Sequence, residues 1–172
     1  PSTSMTGFKV PPVTPMQSAL LRGSPGPTQI LFKTSITQPQ PPANLLPAGN
    51  RPTARQMKPP YRCYNIAYAI DIHSIAFTPG PDGNYRADFE FGVRVYNDSG
   101  DEIVNSAAKE VTPILPAAVY QSMLRNGATA HQQIAVPAKG DYFLRIAVHD
   151  LTTDRVGAIE VPTAAISPTA TH

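Results

Sequence analysis

The 172-residue sequence contains one cysteine, Cys63, no tryptophan, and only 15% charged residues. A single cysteine excludes an intrachain disulfide and the cysteine clusters of structural zinc sites. No apolar run approaches the roughly 20 residues of a membrane-spanning helix, so we expect no membrane span. The first residues do not resemble a signal peptide, and we expect any targeting signal to be missing from this chain. Whether Pro1 is a natural terminus stays open.

Acidic residues are absent from the first 60 positions, which hold six basic residues and 13 of the 20 prolines. The remaining positions hold eight basic and all 12 acidic residues, so the two parts carry formal charges of +6 and −4. Proline fixes φ and removes a backbone donor, which disfavours helices and central strands. We therefore predict a proline-rich extended arm or linker at 1–27, a strand at 28–37, a proline-rich connector at 38–60, a body at 61–162 and a polar tail at 163–172.

Large residues alternate with smaller or polar ones along the body, which is the period of a β-strand. One row comprises Tyr64, Ile66, Tyr68 and Ile70, and a second comprises Ala87, Phe89, Phe91, Val93 and Val95. Asp88, Glu90, Gly92 and Arg94 fall on the opposite face of the second strand, which predicts that this strand is half-buried in an antiparallel sheet. The period changes at 116–126, where Pro116 and Gly127 flank a predicted short helix.

About seven or eight short strands and one helix near 116–126 predict an all-β fold. The expected architecture is an antiparallel β-sandwich like that of immunoglobulin or fibronectin type III domains. A closed barrel is the alternative. The tryptophan and the cysteine pair of true immunoglobulin domains are absent, so the comparison concerns architecture alone.

No set of residues in the sequence has the spacing of a catalytic or metal site. The histidines, at 73, 131, 149 and 172, are scattered, and no nucleophile elbow or glycine-rich phosphate loop occurs. We therefore predict no catalytic, cofactor-binding or metal-binding residues, and no enzyme. Asp98, Asp101 and Glu102 belong to a hairpin turn or to a weak calcium loop, and we favour the turn. Cys63 is expected to be a small half-buried apolar residue.

Nucleic-acid binding and sugar binding are two further functions that the residues bear on. The basic residues of the arm are spread among prolines and no RNA-binding aromatic motif is present, so we predict no nucleic-acid partner. Tyr61, Tyr64 and Tyr68 lie in one segment and belong either to the core, which we favour, or to an exposed sugar-binding stripe.

Three segments resemble the region that follows the von Willebrand factor A-like domain in the VWFA-related proteins of Acidobacteria. They are VPAKGDYFLRIAVHDLTTDRVGAIEVP (136–162), GPDGNYRADFEFGVRVYNDSGDEI (80–103) and LLRGSPGPTQILFKTSI (20–36). The resemblance covers roughly residues 20–162 and implies an exported protein, extracellular or at the cell surface, whose tail is a sandwich without known catalytic activity. The A domain and its metal-binding motif are absent from this sequence.

The arm provides the functional hypothesis. Its positive charge favours docking on the acidic body, either of the same chain or of a neighbouring copy. The apolar run Ile30-Leu31-Phe32 that follows it can add a strand to an open sheet edge. The predicted interaction residues are Ile30, Leu31, Phe32, Lys33 and Ile36. If each copy donates its arm to the next, the head-to-tail contact builds an extracellular filament. The alternatives are an accessory or spacer domain that contacts other domains of a larger VWFA-related surface protein, and a carbohydrate-binding module.

Overall fold

The computed structural model describes residues 12–39, 41–53, 57–106 and 108–168. The strands are β1 Phe32–Thr37, β2 Asn50–Pro52, β3 Tyr61–Ile70, β4 Thr78–Pro79, β5 Tyr85–Arg86, β6 Phe89–Tyr96, β7 Glu102–Ser106, β8 Lys109–Val111, β9 Ile114–Leu115, β10 Ala128–Pro137, β11 Phe143–Asp150 and β12 Val156–Pro162. The helices are α1 Pro15–Ala19 and α2 Ala117–Asn126, with 3-10 turns at Ile72–Ser74 and Thr163–Ala165. The fold is all-β, as predicted. No described helix is long and apolar enough to cross a membrane.

The strands form two main antiparallel sheets and one small one. The first sheet has the order β1-β3-β10, and the second has the order β12-β11-β6-β7-β2 with β8 also paired to β6. The small sheet, β4-β5-β9, consists of two-residue strands. Five of the 12 described strands are only two or three residues long, which explains why the predicted number was seven or eight.

One core is shared by the two main sheets. The rings of Tyr68 on β3 and Phe91 on β6 pack with their centroids 5.0 Å apart. The predicted inward rows are confirmed, because the following residues are all buried: Tyr64, Ile66, Tyr68, Ile70, Ala87, Phe89, Phe91, Val93 and Val95. Burial of this many β-branched and aromatic side chains accounts for most of the driving force for folding.

The prediction that β6 is half-buried is wrong, because the outer face of the second sheet is also covered. Met16 of α1 contacts Gly92 on β6, and Met16, Ala19 and Leu20 form a small buried cluster with residues of β11 and β12. The small side chain of Ala147 leaves room for this helix, and a proline-rich arm therefore has a packed position on its own body.

Several predicted boundaries differ from the structure. The predicted strand 28–37 begins at Phe32, since residues 28–31 first bridge β12 through Thr28 and Gly157 and then cross to β3. The connector 38–60 contains β2. Helix α2 confirms the predicted helix, but α1 is a second one, and Thr14 forms a capping box at its start. The tail at 163–172, predicted to be polar, begins with a buried residue, Thr163. Residues 1–11 of the predicted arm and 169–172 of the tail lie outside the described residues.

Candidate interaction site at the open edge of a sheet

Strand β1 lies at one edge of the first sheet. It pairs with β3 in antiparallel register from Phe32 opposite Ile70 to Thr37 opposite Asn65. In the described part of the chain, β3 is the one strand that pairs with β1. The other side of β1 is paired at both ends, where the N–H of Ile30 donates to the carbonyl oxygen of Val156 at 3.4 Å and Gln38 forms a bridge with Pro168. Between these contacts, at residues 32–36, it is an open edge among the described residues.

The register identifies the main-chain groups at this edge. The N–H of Asp71 donates to the carbonyl oxygen of Leu31, 2.9 Å away. Hydrogen-bonded and non-hydrogen-bonded pairs alternate along an antiparallel ladder, so the odd-numbered residues of β1 share hydrogen bonds with β3. The even-numbered residues, Phe32, Thr34 and Ile36, consequently direct their N–H and C=O groups away from β3.

The five predicted interaction residues lie together around this edge but differ in exposure. Ile30 is only 2% exposed and belongs to the core, whereas Leu31 is 56% exposed. Phe32 and Ile36 are partly buried and pack against the core, while Lys33 is exposed. Leu31 and Lys33 thus remain accessible to a partner, and the three others hold β1 in place.

A groove of about 530 Å³ adjoins the start of β1. Its lining includes Leu31, Phe32, Lys33, Ile70, Leu124 and Arg125. At its rim, the Asp71 carboxylate accepts a hydrogen bond from the N–H of His73 at 3.0 Å and lies 2.9 Å from the His73 ring. These contacts hold the pKa of Asp71 below its usual range. The rim of the groove therefore carries a negative charge, and Lys33 and Arg125 in the lining carry positive charges.

The arm is fixed to the second sheet by hydrogen bonds to its carbonyl groups. Arg145 of β11 donates to the carbonyl oxygens of Ala19, Ser24 and Pro25 over 2.7–3.0 Å, and the hydroxyl of Tyr96 donates to Leu20 at 2.7 Å. The guanidinium of Arg22 lies 3.9 Å from the centre of the Phe143 ring and donates to the carbonyl of Asn97. The charge of the arm predicted docking on the acidic body, of the same chain or of a neighbouring copy. The contacts that hold the arm were not predicted, although the spacing of Met16, Ala19 and Leu20 indicated one apolar helix face.

The histidines occupy unrelated places. His149 is buried, with Nδ1 2.9 Å from a Glu90 oxygen and Nε2 3.1 Å from an Asp154 oxygen. His73 and His131 are exposed, and His172 lies outside the described residues. Within residues 12–168 as described, no three His, Cys, Asp or Glu side chains are placed to hold one metal ion. Asp101 hydrogen bonds to Asn97 across the predicted hairpin turn.

The tyrosine alternatives are resolved by burial. Tyr61, Tyr64 and Tyr68 are 6%, 0% and 1% exposed, so they belong to the core and do not form a surface stripe. Burial raises the pKa of Tyr68, whose hydroxyl donates to the Gln132 side chain at 2.8 Å. Burial likewise raises the pKa of the half-buried Cys63 thiol, which makes it a poor nucleophile.

Comparison with known proteins gives little further information. No protein-family model matches the chain. No curated protein matches it either. Among solved structures, the structural genomics target SoR45 aligns over 84% of this chain and 95% of its own, with 7% identity and a TM-score of 0.31. The putative ApaA protein from Bordetella pertussis aligns over 80% of this chain and 89% of its own, with 12% identity and a TM-score of 0.25. Likenesses this low transfer neither a fold nor a function.

Proposed function

We propose that the chain is a non-catalytic binding module that adds an extended segment of another polypeptide to the open edge of β1. The observation that carries this proposal is the row of main-chain groups at Phe32, Thr34 and Ile36, which no described strand pairs. An open edge binds an extended segment through main-chain hydrogen bonds, and adjacent side chains select among segments.

The side chains beside the edge provide the means of selection. Leu31 is exposed at the groove, where an apolar side chain of the partner would be removed from water. Lys33 places a positive charge on the edge strand, and such charges oppose unspecific pairing with the strands of other molecules. A carboxylate of the partner near Lys33 would neutralise this charge. We therefore expect the edge to select segments that carry an acidic residue at that position.

The resemblance to the VWFA-related proteins supports an exported location, extracellular or at the cell surface, and an accessory role within a larger protein. The contacts of the arm support the accessory role over arm exchange between copies. Exchange would first break the hydrogen bonds of Arg145 to the arm and expose the cluster around Met16. We therefore place the binding event at β1 and treat the arm as part of the scaffold.

Self-assembly remains the second candidate, because β1 of one copy can pair with an edge of another. Size-exclusion chromatography of the purified chain distinguishes the two candidates. An accessory module elutes as a monomer at high concentration, whereas an assembling subunit elutes earlier as the concentration rises. Residues 1–37 include both the arm and β1. Polymers that survive deletion of these residues would exclude both segments from assembly.

The edge itself is tested with a synthetic peptide carrying the sequence of residues 61–70, since β3 is the natural partner of β1. Hydrogen exchange should be fast at the amides of Phe32, Thr34 and Ile36 in the free chain and slower when the peptide binds. The amides of Lys33 and Ser35 are internal controls, because they already hydrogen bond to β3.

A matched pair of variants completes the test. Thr34→Pro removes an outward N–H without removing a hydrogen bond to β3, so it should keep the fold and lose peptide binding. Thr34→Val keeps the N–H and should bind normally. Equal binding by both variants would exclude strand addition at this edge.

A further inference from the structure

A cleft of about 730 Å³ lies at the opposite edge of the first sheet, between β10 and described residues of β7 and β8 in the second sheet. Its lining includes Ala48, Gly49, Asn65, Ser106, Lys109 and His131. The lining combines small residues such as Ala48 and Gly49 with amide and hydroxyl side chains such as Asn65 and Ser106. None of the five residues assigned to the β1 site lines this cleft.

The register of β10 shows which main-chain groups face the cleft. The N–H of Ala138 donates to the carbonyl oxygen of Pro60 at 3.0 Å, which continues the ladder between β10 and β3. By the alternation of antiparallel pairs, the even-numbered residues of β10 are bonded to β3. Thr129, His131 and Gln133 therefore turn their N–H and C=O groups outward.

The side chain of Asn50 already forms hydrogen bonds with part of the outer edge of β10. Its Nδ2 donates to the carbonyl oxygen of Gln133 at 2.9 Å, and its Oδ1 accepts from the N–H of Ala135 at 2.8 Å. In a parallel pair of strands, a residue bonds to the C=O of one residue on its neighbour and to the N–H two residues later. The Asn50 amide makes the same two contacts with Gln133 and Ala135. The Asn50 side chain thus acts as the first peptide group of an added strand.

Towards residue 129 this ladder has no continuation among the described residues. The main-chain groups of Thr129 and His131 face the cleft there, and β10 is paired with β3 alone. The arm is docked on the other sheet, so residues 12–31 do not fill this position. No described segment of the chain therefore continues the ladder at this point.

The charge of the cleft indicates which charge a bound polypeptide should carry. Lys109 is the one charged side chain among the described residues that line the cleft. Lys109 is exposed, and its ammonium group lies 5.8 Å from the centre of the Phe91 ring. This cation attracts a carboxylate of a ligand and repels a lysine. Gln133 donates to Asn65 at 2.7 Å, which orients both amides for hydrogen bonding to a polar ligand.

We propose that this cleft binds an extended acidic peptide, which runs parallel to β10, continues the ladder begun by Asn50 and pairs a carboxylate with Lys109. The site is independent of the function proposed for β1, since the two lie on opposite edges of the sheet. Binding at one edge and failure at the other can therefore be measured separately.

The test is a titration of the full isotope-labelled chain, followed by NMR, with the blocked hexapeptide acetyl-Val-Thr-Asp-Val-Thr-Val-amide. Saturable shifts are expected at the amides of Thr129, His131 and Gln133. The same peptide with lysine in place of aspartate should bind about tenfold more weakly, the effect of a favourable contact of about 1.4 kcal/mol. Lys109→Glu should reverse this preference.

Two variants remove the site in different ways. His131→Pro deletes an outward N–H while leaving the ladder to β3 intact, and Ala48→Trp fills the cleft, so each should abolish the shifts. Should the proline variant fail to fold, the tryptophan variant decides. Thr34→Pro, at the other edge, should leave the titration unchanged.

Three results would overturn the proposal. They are the absence of shifts between residues 129 and 133, equal affinity for the acidic and basic peptides, and binding that survives Ala48→Trp. Saturable binding of a neutral oligosaccharide at the same amides, without binding of the peptide, would identify a sugar site and would equally overturn it.

Discussion

The Nε of Arg145 on β11 donates a hydrogen bond to the carbonyl oxygen of Ala19 in α1, 2.7 Å away. The Nη2 of the same side chain donates to Ser24 and Pro25 at 2.9 and 3.0 Å. A buried guanidinium needs acceptors because its removal from water is costly, and the arm supplies them as main-chain carbonyls. Docking of the arm and burial of Arg145 therefore depend on each other.

Arg145→Met keeps an unbranched side chain but removes all three hydrogen bonds. We expect the free energy of unfolding to fall by about 2–3 kcal/mol, because bonds to a charged donor are lost and carbonyls are left unpaired. Chemical denaturation measures the loss, and limited proteolysis should cut the arm of the variant faster. Arg86→Met changes an exposed arginine on β5, in the small sheet that the arm does not join, and is the control. It should leave the cleavage rate unchanged. An arm equally protected in Arg145→Met would show that apolar contacts alone hold it.

Gly157→Ala tests the crossing of residues 28–31 over β12. A Cβ atom at Gly157 would overlap the carbonyl oxygen of Ile30, so the main chain has to shift. We expect a loss of about 1–3 kcal/mol in the free energy of unfolding, as for other overpacked sites. At Gly80 a Cβ would meet the end of the Arg86 side chain, which can move, so Gly80→Ala should cost less in the same denaturation experiment. A larger loss in Gly80→Ala would contradict the described crossing.

The sequence was sufficient to predict the inner faces of the two main sheets. Tyr64 and Val93 belong to rows of large side chains that recur at every second residue, and both are buried. In an antiparallel sheet, such a pattern places all the large side chains on one face, which then packs against the core. The helix between Pro116 and Gly127 was predictable for a similar local reason, since both flanking residues limit the backbone there.

The outer face of the second sheet could not be predicted in the same way. Met16 and Leu20 have helical spacing, but a five-residue helix is not stable alone and is formed here by packing on Gly92. That contact joins residues about 75 positions apart, which no local pattern encodes. The role of the Asn50 amide at β10 was equally hidden, because it depends on the register of strands distant in sequence.

Cys63 should react slowly with iodoacetamide in the native chain. Burial raises the pKa of its thiol, so less of the reactive thiolate is present at pH 8 than in an unfolded chain. Mass spectrometry of samples alkylated with and without denaturant measures the ratio of the two rates. A native rate as fast as the denatured one would mean that β3 opens readily or that the thiol is exposed.

Asp82 and Arg86 should make stability depend on pH in the acid range. Arg86 donates to both Asp82 oxygens, at 2.9 and 2.7 Å, and holds the pKa of the carboxyl well below its usual range. A carboxyl with a lowered folded-state pKa binds its proton more readily in the unfolded chain. Its contribution to stability is therefore complete above the ordinary pKa of about 3.9 and is lost as the pH falls towards the folded value.

The measurement is the difference in Tm between the native chain and Asp82→Asn from pH 7 to pH 2. Asparagine cannot form the ion pair, so the native chain should have the higher Tm near pH 7, and the difference should shrink below about pH 4. Arg86→Gln removes the other partner of the same ion pair. Its Tm should therefore also lie below that of the native chain near pH 7, and the gap should close below about pH 4. A difference that stays constant with pH would mean that Asp82 supports its turn through the hydrogen bonds to Asn84 and not through its charge.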